Sequence, residues 1–491
     1  MIRDGKSIAT GTRLYTQVCI IGSGPAGITA AWYLQRAGLD VILIEGSRDY
    51  RGQPLQASWP DKVLLYDGVA DGLFATNEPD FLIRPYAGGS ENPPWERERL
   101  YGGTSNHWGG QSRPLSPITF VKRPGFPGWP ISRADLDPYY SEAARLCKLH
   151  GADFTSEYWA DVLDAEIPRL AGFDVEMYQF VGDDYLNFAT RTFDDGKTIG
   201  DTDVDVILNC SLLEIDHQQG AVSGLYVASM DTSDKPKRAT EFTIRAEVYI
   251  LACGAVANAR QLLVSNAGNE HDMVGRYFMC HPLTRYGVVS ITNGYLTPDQ
   301  QRLMSGHLPG DKPWKDGNGV WVEGRFVPNV GFGRCWFWAG GGQYYFEMVP
   351  NPDSRVRLTD TVDPVFGQRQ TRITWELGPG DELTYNQTTA LFKAAVKELG
   401  GDVSFASWEE VKSQLVDNGH HIGTTRMSDD PTQGVVDRNL KVHSLDNLYV
   451  AGSSVYPSTD VPNPTFTIIT LSIRLADHVT KRLYSRRFGA A

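Results

Sequence analysis

Ile20-Ile21-Gly22-Ser23-Gly24-Pro25-Ala26-Gly27 sets the fold. It is G-x-G-x-x-G, placed after the apolar run from Tyr15 to Ile21 and before the segment from Ala26 to Ala37. The first reads as a strand and the second as a helix. Gly22 makes the tight turn, Gly24 lets backbone approach a pyrophosphate, and Gly27 lets helix and strand pack closely. The phosphate then meets the positive end of the helix. A second apolar run, Val41 to Ile44, ends at Glu45, whose carboxylate can accept ribose hydroxyls. Strand, turn, helix, strand and acid are all in place, which disfavours a merely structural glycine loop. The position near the start of the chain favours FAD over NAD by analogy with known flavoproteins. No second complete fingerprint follows, so a two-nucleotide reductase is disfavoured.

Bulk properties set the outer bounds. The 491 residues suffice for about three domain-equivalents or one large two-domain enzyme. With 41% hydrophobic and 21% charged residues, the composition is that of an ordinary globular protein. The net charge of −13 argues against a nucleic-acid partner, which calls for a basic stripe. The six cysteines show no C-x-x-C spacing and read as reduced thiols. Met1 to Thr16 lacks the apolar run of a signal peptide, and no stretch reaches about 18 apolar residues. A cytoplasmic protein with no membrane partner and no metal site is expected; the oligomeric state is open.

Further strands are expected at Val204 to Leu208, Val222 to Ser229, Glu247 to Ala252 and Leu448 to Ala451. Helices are expected at Ala255 to Ser265, Leu391 to Leu399 and Phe466 to Arg482, with another starting at Ser132 as N-cap. Residues 320–377 alternate in five short runs and predict an antiparallel sheet. The long Pro- and Gly-rich connection from Arg48 to Leu100 reads as a lid or partner arm.

Several blocks together resemble the glucose–methanol–choline (GMC) oxidoreductases, most of all their pyranose-oxidase-like, sugar-oxidising branch. They are the fingerprint, Tyr101-Gly102-Gly103-Thr104-Ser105-Asn106-His107-Trp108-Gly109-Gly110, Gly128-Trp129-Pro130-Ile131-Ser132, Leu251-Ala252-Cys253-Gly254-Ala255 and Pro350-Asn351-Pro352-Asp353-Ser354-Arg355-Val356. Most family-specific are His420-His421-Ile422-Gly423-Thr424-Thr425-Arg426-Met427 and Asn463-Pro464-Thr465.

The resemblance implies an α/β flavoenzyme. Its FAD-binding Rossmann-like domain is assembled from 10–135, 196–290 and 416–491. A substrate domain on an antiparallel sheet comes from 136–195 and 291–415. It implies FAD contacts at Gly22, Gly24, Gly27, Glu45, Gly103, Thr104, His107, Trp108, Ala252, Gly254, Gly452, Asn463, Pro464 and Thr465. In the H-x-x-G-T block the His three positions before the Gly faces the flavin, which selects His420 over His421. His420 is expected to take the hydroxyl proton of an alcohol while its C–H gives hydride to flavin N5, and Asn463 to orient the substrate oxygen. Oxygen or another acceptor then reoxidises the flavin. The segment around His107 resembles one that carries a histidyl–flavin bond in pyranose oxidases, with Asn106 in place of Thr.

The run Gln343-Tyr344-Tyr345-Phe346-Glu347 is expected to present Gln343, Tyr345 and Glu347 on one face, Tyr345 stacking on a sugar ring. Ser458, Thr459 and Asp460 read as turn polarity. Three rivals stay open: a sterol or aliphatic alcohol oxidase of the same family, a flavin-binding protein without turnover, and a nicotinamide dehydrogenase.

Overall fold

The computed structural model describes residues 1–46, 101–106 and 108–488, apart from short stretches at 232–236, 285–287, 293–295, 307–314, 316–318, 330–332, 338–343, 364 and 413–418. The connection from Arg48 to Leu100, His107 and Gln343 therefore lie outside the described residues.

Two sheets organise the molecule. The first has eight strands, and its parallel part contains Ile2–Asp4, Asp205–Leu208, Val41–Ile44, Arg13–Ile21, Arg238–Leu251 and Leu448–Val450. Val18, Cys19, Ile20 and Leu43 are fully buried, as parallel strands covered on both faces require. The registers Ile21↔Ile44, Ile21↔Leu251 and Leu251↔Val450 bring four carboxyl ends into one row. In open α/β sheets a ligand binds outside such a row. Helix Pro25–Arg36 leaves this edge and packs on the last helix, Pro464–Phe488.

The second sheet runs Leu283–Thr284, Tyr344–Phe346, Cys335–Phe337, Trp321–Pro328, Phe173–Phe180, Gln111–Ser112, and the pairings are antiparallel. Helix Pro379–Glu398 backs it: Phe392 stacks on Phe337 with ring centroids 4.1 Å apart. Burying a ring of this size contributes about 1.5–3 kcal/mol. The fold class is thus as expected: a mixed α/β protein with a parallel Rossmann-like sheet and an antiparallel one.

Local expectations fail in four places. The single sheet expected over 320–377 is divided, because Arg355–Val362 and Arg369–Thr374 form a separate two-stranded sheet whose first strand leans on helix Ala255–Val264. Ser132 is no N-cap. It bonds reciprocally with Asp135, and the helix Asp137–Leu146 begins where Pro138 is tolerated, in the first turn. That helix packs on Pro464–Phe488. The helix expected from Leu391 starts at Pro379, where Asp381 accepts the Gly378 amide at 2.7 Å. Strands Phe173–Phe180 and Cys210–Gln218 were not anticipated. Among the described residues no helix is long and apolar enough to cross a membrane.

Candidate active site

The nucleotide cradle is built from backbone. Gly22 has φ +101°, and a Cβ there would lie 2.5 Å from the Ala252 carbonyl oxygen. A Cβ on Gly27 would lie 1.9 Å from the Gly22 oxygen. The protein itself forces these two glycines. Gly24 differs: among the described residues a Cβ there would meet nothing within 4 Å, although it caps a helix with no side-chain cap. Gly254 (φ +82°) opens on equally empty space at the start of helix Ala255–Val264. Bare backbone facing empty space above helix N-termini is what a dinucleotide pyrophosphate needs, so the residues fit FAD.

Around the cradle, Glu45 is buried and accepts from the Ser23 amide (3.0 Å) and hydroxyl (2.6 Å). Gly103, in the short helix Gly103–Asn106 with Thr104, sits against Gly24; a Cβ on it would be 2.9 Å from the Gly24 Cα. Asn106 braces this turn, donating to the carbonyls of Tyr101 (3.1 Å) and Gly103 (2.6 Å) and accepting from Asn187. Trp108 donates its indole N–H to the Leu186 carbonyl at 2.8 Å. Ala252, Gly254 and Gly452 are gathered by a residue not foreseen, Asn258. It accepts from the Cys253 amide (2.8 Å) and donates to the Ala451 carbonyl and Ser454 hydroxyl, both at 3.0 Å. A buried Asn one turn into a helix that follows a strand and a glycine was the available signal.

Beyond the cradle lies a polar centre. Met279 and Ile422 exchange two backbone hydrogen bonds, at 3.0 and 2.9 Å. Antiparallel register then sets His281 opposite His420, two residues along each strand and on the same face. Gly423 of the H-x-x-G-T block permits this approach, since a Cβ there would be 2.2 Å from the Tyr277 oxygen. The same segment continues into Leu283↔Tyr345 pairing. Three rings therefore converge. The Tyr345 hydroxyl lies 2.7 Å from His420 Nδ1, 2.6 Å from His281 Nδ1 and 3.2 Å from Asn463 Oδ1. The two histidine Nδ1 atoms are 3.0 Å apart, and His281 Nε2 is 2.8 Å from the Asp460 carbonyl oxygen. Burial lowers the His281 pKa to about 4 against the support of the Asp460 carbonyl and charge. His421 turns away, its ring against Phe278.

Two expected substrate residues are not at the surface of this centre. Tyr345 is 1% exposed and stacks on Trp336 at 5.0 Å, so its ring is not offered to a sugar; its hydroxyl joins the histidines instead. Glu347 is fully buried beyond the end of strand Tyr344–Phe346. Its oxygens accept from Arg123 (2.6 and 2.8 Å), the Asp460 amide (3.0 Å) and the Arg334 amide (3.2 Å). It is an internal anchor, not a hydroxyl binder.

That anchor belongs to an ionic cluster behind the centre. Arg334 donates to Asp460 and to Glu176, each at 2.6 Å. Arg113 lies 3.0 Å from Glu176. Asp460 also accepts from the amides of Ser116 (2.6 Å) and Val461 (2.8 Å) and holds φ +54°. Burial works to raise the Glu176 carboxyl, but Arg113 and Arg334 overrule it and hold it near 2. Asp460, expected to be turn polarity, thus pins the loop that carries Asn463.

The comparisons agree with this geometry. Residues 350–472, which contain His420 and Asn463, match the family described as GMC oxidoreductase. By this stretch the chain is similar to the GMC oxidoreductases. Residues 16–85 match the pyridine nucleotide-disulphide oxidoreductase family, in keeping with the fingerprint. The 6'''-hydroxyparomomycin C oxidase of Streptomyces lividus is 25% identical over 99% of this chain and 95% of its own length. Pyranose 2-oxidase of Tricholoma matsutake is 38% identical, but over only 27% of this chain and 23% of its own. The resemblance to pyranose oxidases is thus partial, whereas that to an aminoglycoside oxidase spans the chain. The pyridoxine 4-oxidase structure superposes with a TM-score of 0.58 at 16% identity, over 94% of this chain and 99% of that one, which shows the shared fold. The protein is an oxidoreductase that carries out FAD-dependent oxidation of an alcohol.

Proposed function

We propose that this enzyme oxidises a CH–OH group of a sugar, with glycosides and aminoglycosides as the substrate class, and that His420 is the base. The observation that carries the assignment is the meeting of His420 and Asn463 at one hydroxyl, that of Tyr345, from segments far apart in the chain. A neutral imidazole takes the substrate O–H proton near neutral pH, and the Asn463 amide orients the same oxygen. Bound flavin supplies the acceptor for the hydride that leaves the C–H bond. The cradle from Gly22 to Gly27, Glu45, Gly103, Thr104, Trp108, Ala252, Gly254, Gly452, Pro464 and Thr465 would hold it.

The sugar reading is supported by the chain-long similarity to an aminoglycoside oxidase and by a net charge of −13, which suits a cationic amino sugar. In an anaerobic panel, amino sugars and glycosides should bleach the flavin. A sterol or simple aliphatic alcohol that bleaches it far faster would overturn the substrate class. His420→Ala should slow anaerobic flavin reduction by about 10²–10⁴-fold with flavin still bound. A rate within a few-fold of wild type removes His420 from the role. The division into 10–135, 196–290 and 416–491 for FAD and the remainder for substrate is part of the same reading. So is a covalent histidyl–flavin bond at His107, supported by the segment's resemblance. Yellow colour that stays wholly soluble on denaturing precipitation rules the bond out.

A further inference from the structure

A base is useful only in the right tautomer. If the alcohol faces one imidazole nitrogen, that nitrogen must hold the lone pair and the other the hydrogen. Resting on the reading of His420 as base, we propose that His281, acting through Tyr345, is the positioning residue that locks His420 with its hydrogen on Nδ1 and its lone pair on Nε2.

The order of protons follows from the contacts. The Asp460 carbonyl oxygen can only accept, so its 2.8 Å contact places a hydrogen on His281 Nε2. With its pKa lowered by burial, His281 holds that hydrogen alone at neutral pH, and its Nδ1 is an acceptor. The 2.6 Å contact from Nδ1 to Tyr345 is then filled by the only proton the phenol has. With that proton committed, the 2.7 Å contact between the Tyr345 oxygen and His420 Nδ1 must be filled from the histidine side. The 3.0 Å approach of His281 Nδ1 offers the same hydrogen a second acceptor. Asn463 Oδ1, at 3.2 Å, is the longest and weakest competitor for the phenol proton. His420 is left with Nε2 as its basic nitrogen. The hydrogen bond at Nδ1 thus sets the tautomer.

The other charges nearby act through Asp460. Its carboxylate is occupied by Arg334 and two amides and its own amide by Glu347, so its carbonyl is held still against His281. The register Met279↔Ile422 fixes the distance between the two rings.

The test uses the FAD-loaded enzyme. In His281→Leu the phenol loses its acceptor and turns its proton to His420 Nδ1, which drives His420 to the wrong tautomer. Anaerobic flavin reduction should then fall about 10–100-fold, with substrate affinity and flavin content kept. Tyr345→Phe, which keeps the ring on Trp336, should cost less alone, and added to His281→Leu it should recover at least about three-fold by removing the misdirected donor. A purely structural role predicts that the second substitution deepens the loss. A His281→Leu enzyme at wild-type rate, or a double variant no faster than the single, overturns the lock. Should His281→Leu fail to fold, nitrogen NMR of the histidine-labelled wild-type holoenzyme decides. With His420→Ala for assignment, His420 must show a protonated Nδ1 and a bare Nε2; the reverse overturns the proposal. If His420→Ala keeps its rate, the base reading falls. If it loses its rate and His281→Leu does not, only the lock falls.

Discussion

The nucleotide cradle and the polar centre lie in one molecule but are made in opposite ways. The cradle's turn is contiguous: three glycines, a strand and a helix within residues 13–36, with Gly22 and Gly27 forced by neighbouring backbone. The centre draws His281, Tyr345, His420 and Asn463 from four separate segments and holds them with side chains. The first needs empty space and bare amides. The second needs filled space, including a largely buried ionic cluster. Backbone sites tolerate changes in their surroundings; side-chain sites fail when one support is removed.

Breaking the ionic support should give the largest effect. Arg334→Met leaves Asp460 and Glu176 buried without their shared partner. Removing one member of a buried pair costs about 3–5 kcal/mol, so the thermal midpoint should drop steeply. An unchanged midpoint would mean that the cluster does not support the centre. Gly27→Ala comes next, because its Cβ collides with backbone at 1.9 Å. Overpacking of this kind costs about 1–3 kcal/mol, and both stability and flavin retention should fall. Gly24→Ala sharpens the contrast. Nothing among the described residues meets that Cβ, so the thermal midpoint of the apoprotein should hold within about 0.5 kcal/mol. Flavin bound per chain should still drop, because the methyl group fills the space kept for the cofactor. Equal losses in stability for the two alanines would erase the distinction between protein-forced and ligand-forced glycines.

The last effect concerns acid. Unfolded His281 takes up a proton at its ordinary 6.5, whereas burial holds the folded residue near 4. The unfolded chain therefore binds more protons in that window, and stability is lost as pH falls from about 6.5 towards 4. Urea midpoints at pH 7, 6 and 5 should show a steeper decline for wild type than for His281→Leu. Parallel declines would mean that the buried ring titrates normally.

This contrast also explains what the sequence could tell. Strand Val41–Ile44 and the helix after Gly24 were readable to within a residue or so, because periodicity and glycine turns are local signals. His420 and Asn463 were named through motif register, and the structure brings them to the same phenol. His281 was missed because its partner is set by a bridge between Met279 and Ile422, which no local pattern encodes. Tyr345 and Glu347 were singled out for the wrong reason. Polar and aromatic residues alternating on a strand look like a binding face, but here they are turned inward to satisfy His281 and Arg123. Asp460 looked like one more loop residue because burial of a turn is a tertiary property.

Strand Arg238–Leu251 lies between the beginning and the end of the chain. It pairs with Arg13–Ile21 on one edge and, at its carboxyl end, with Leu448–Val450 on the other. Helix Pro464–Phe488 then closes on Pro25–Arg36. Contacts of such long sequence separation form slowly, since loop closure precedes any reward from pairing. The glycine turn near the start is made early on the ribosome, yet its cradle lacks a wall until nearly the whole chain has emerged. In refolding, flavin capture should therefore lag behind the gain of far-ultraviolet circular dichroism. Flavin fluorescence quenched in the earliest phase would show that the half-built cradle already binds.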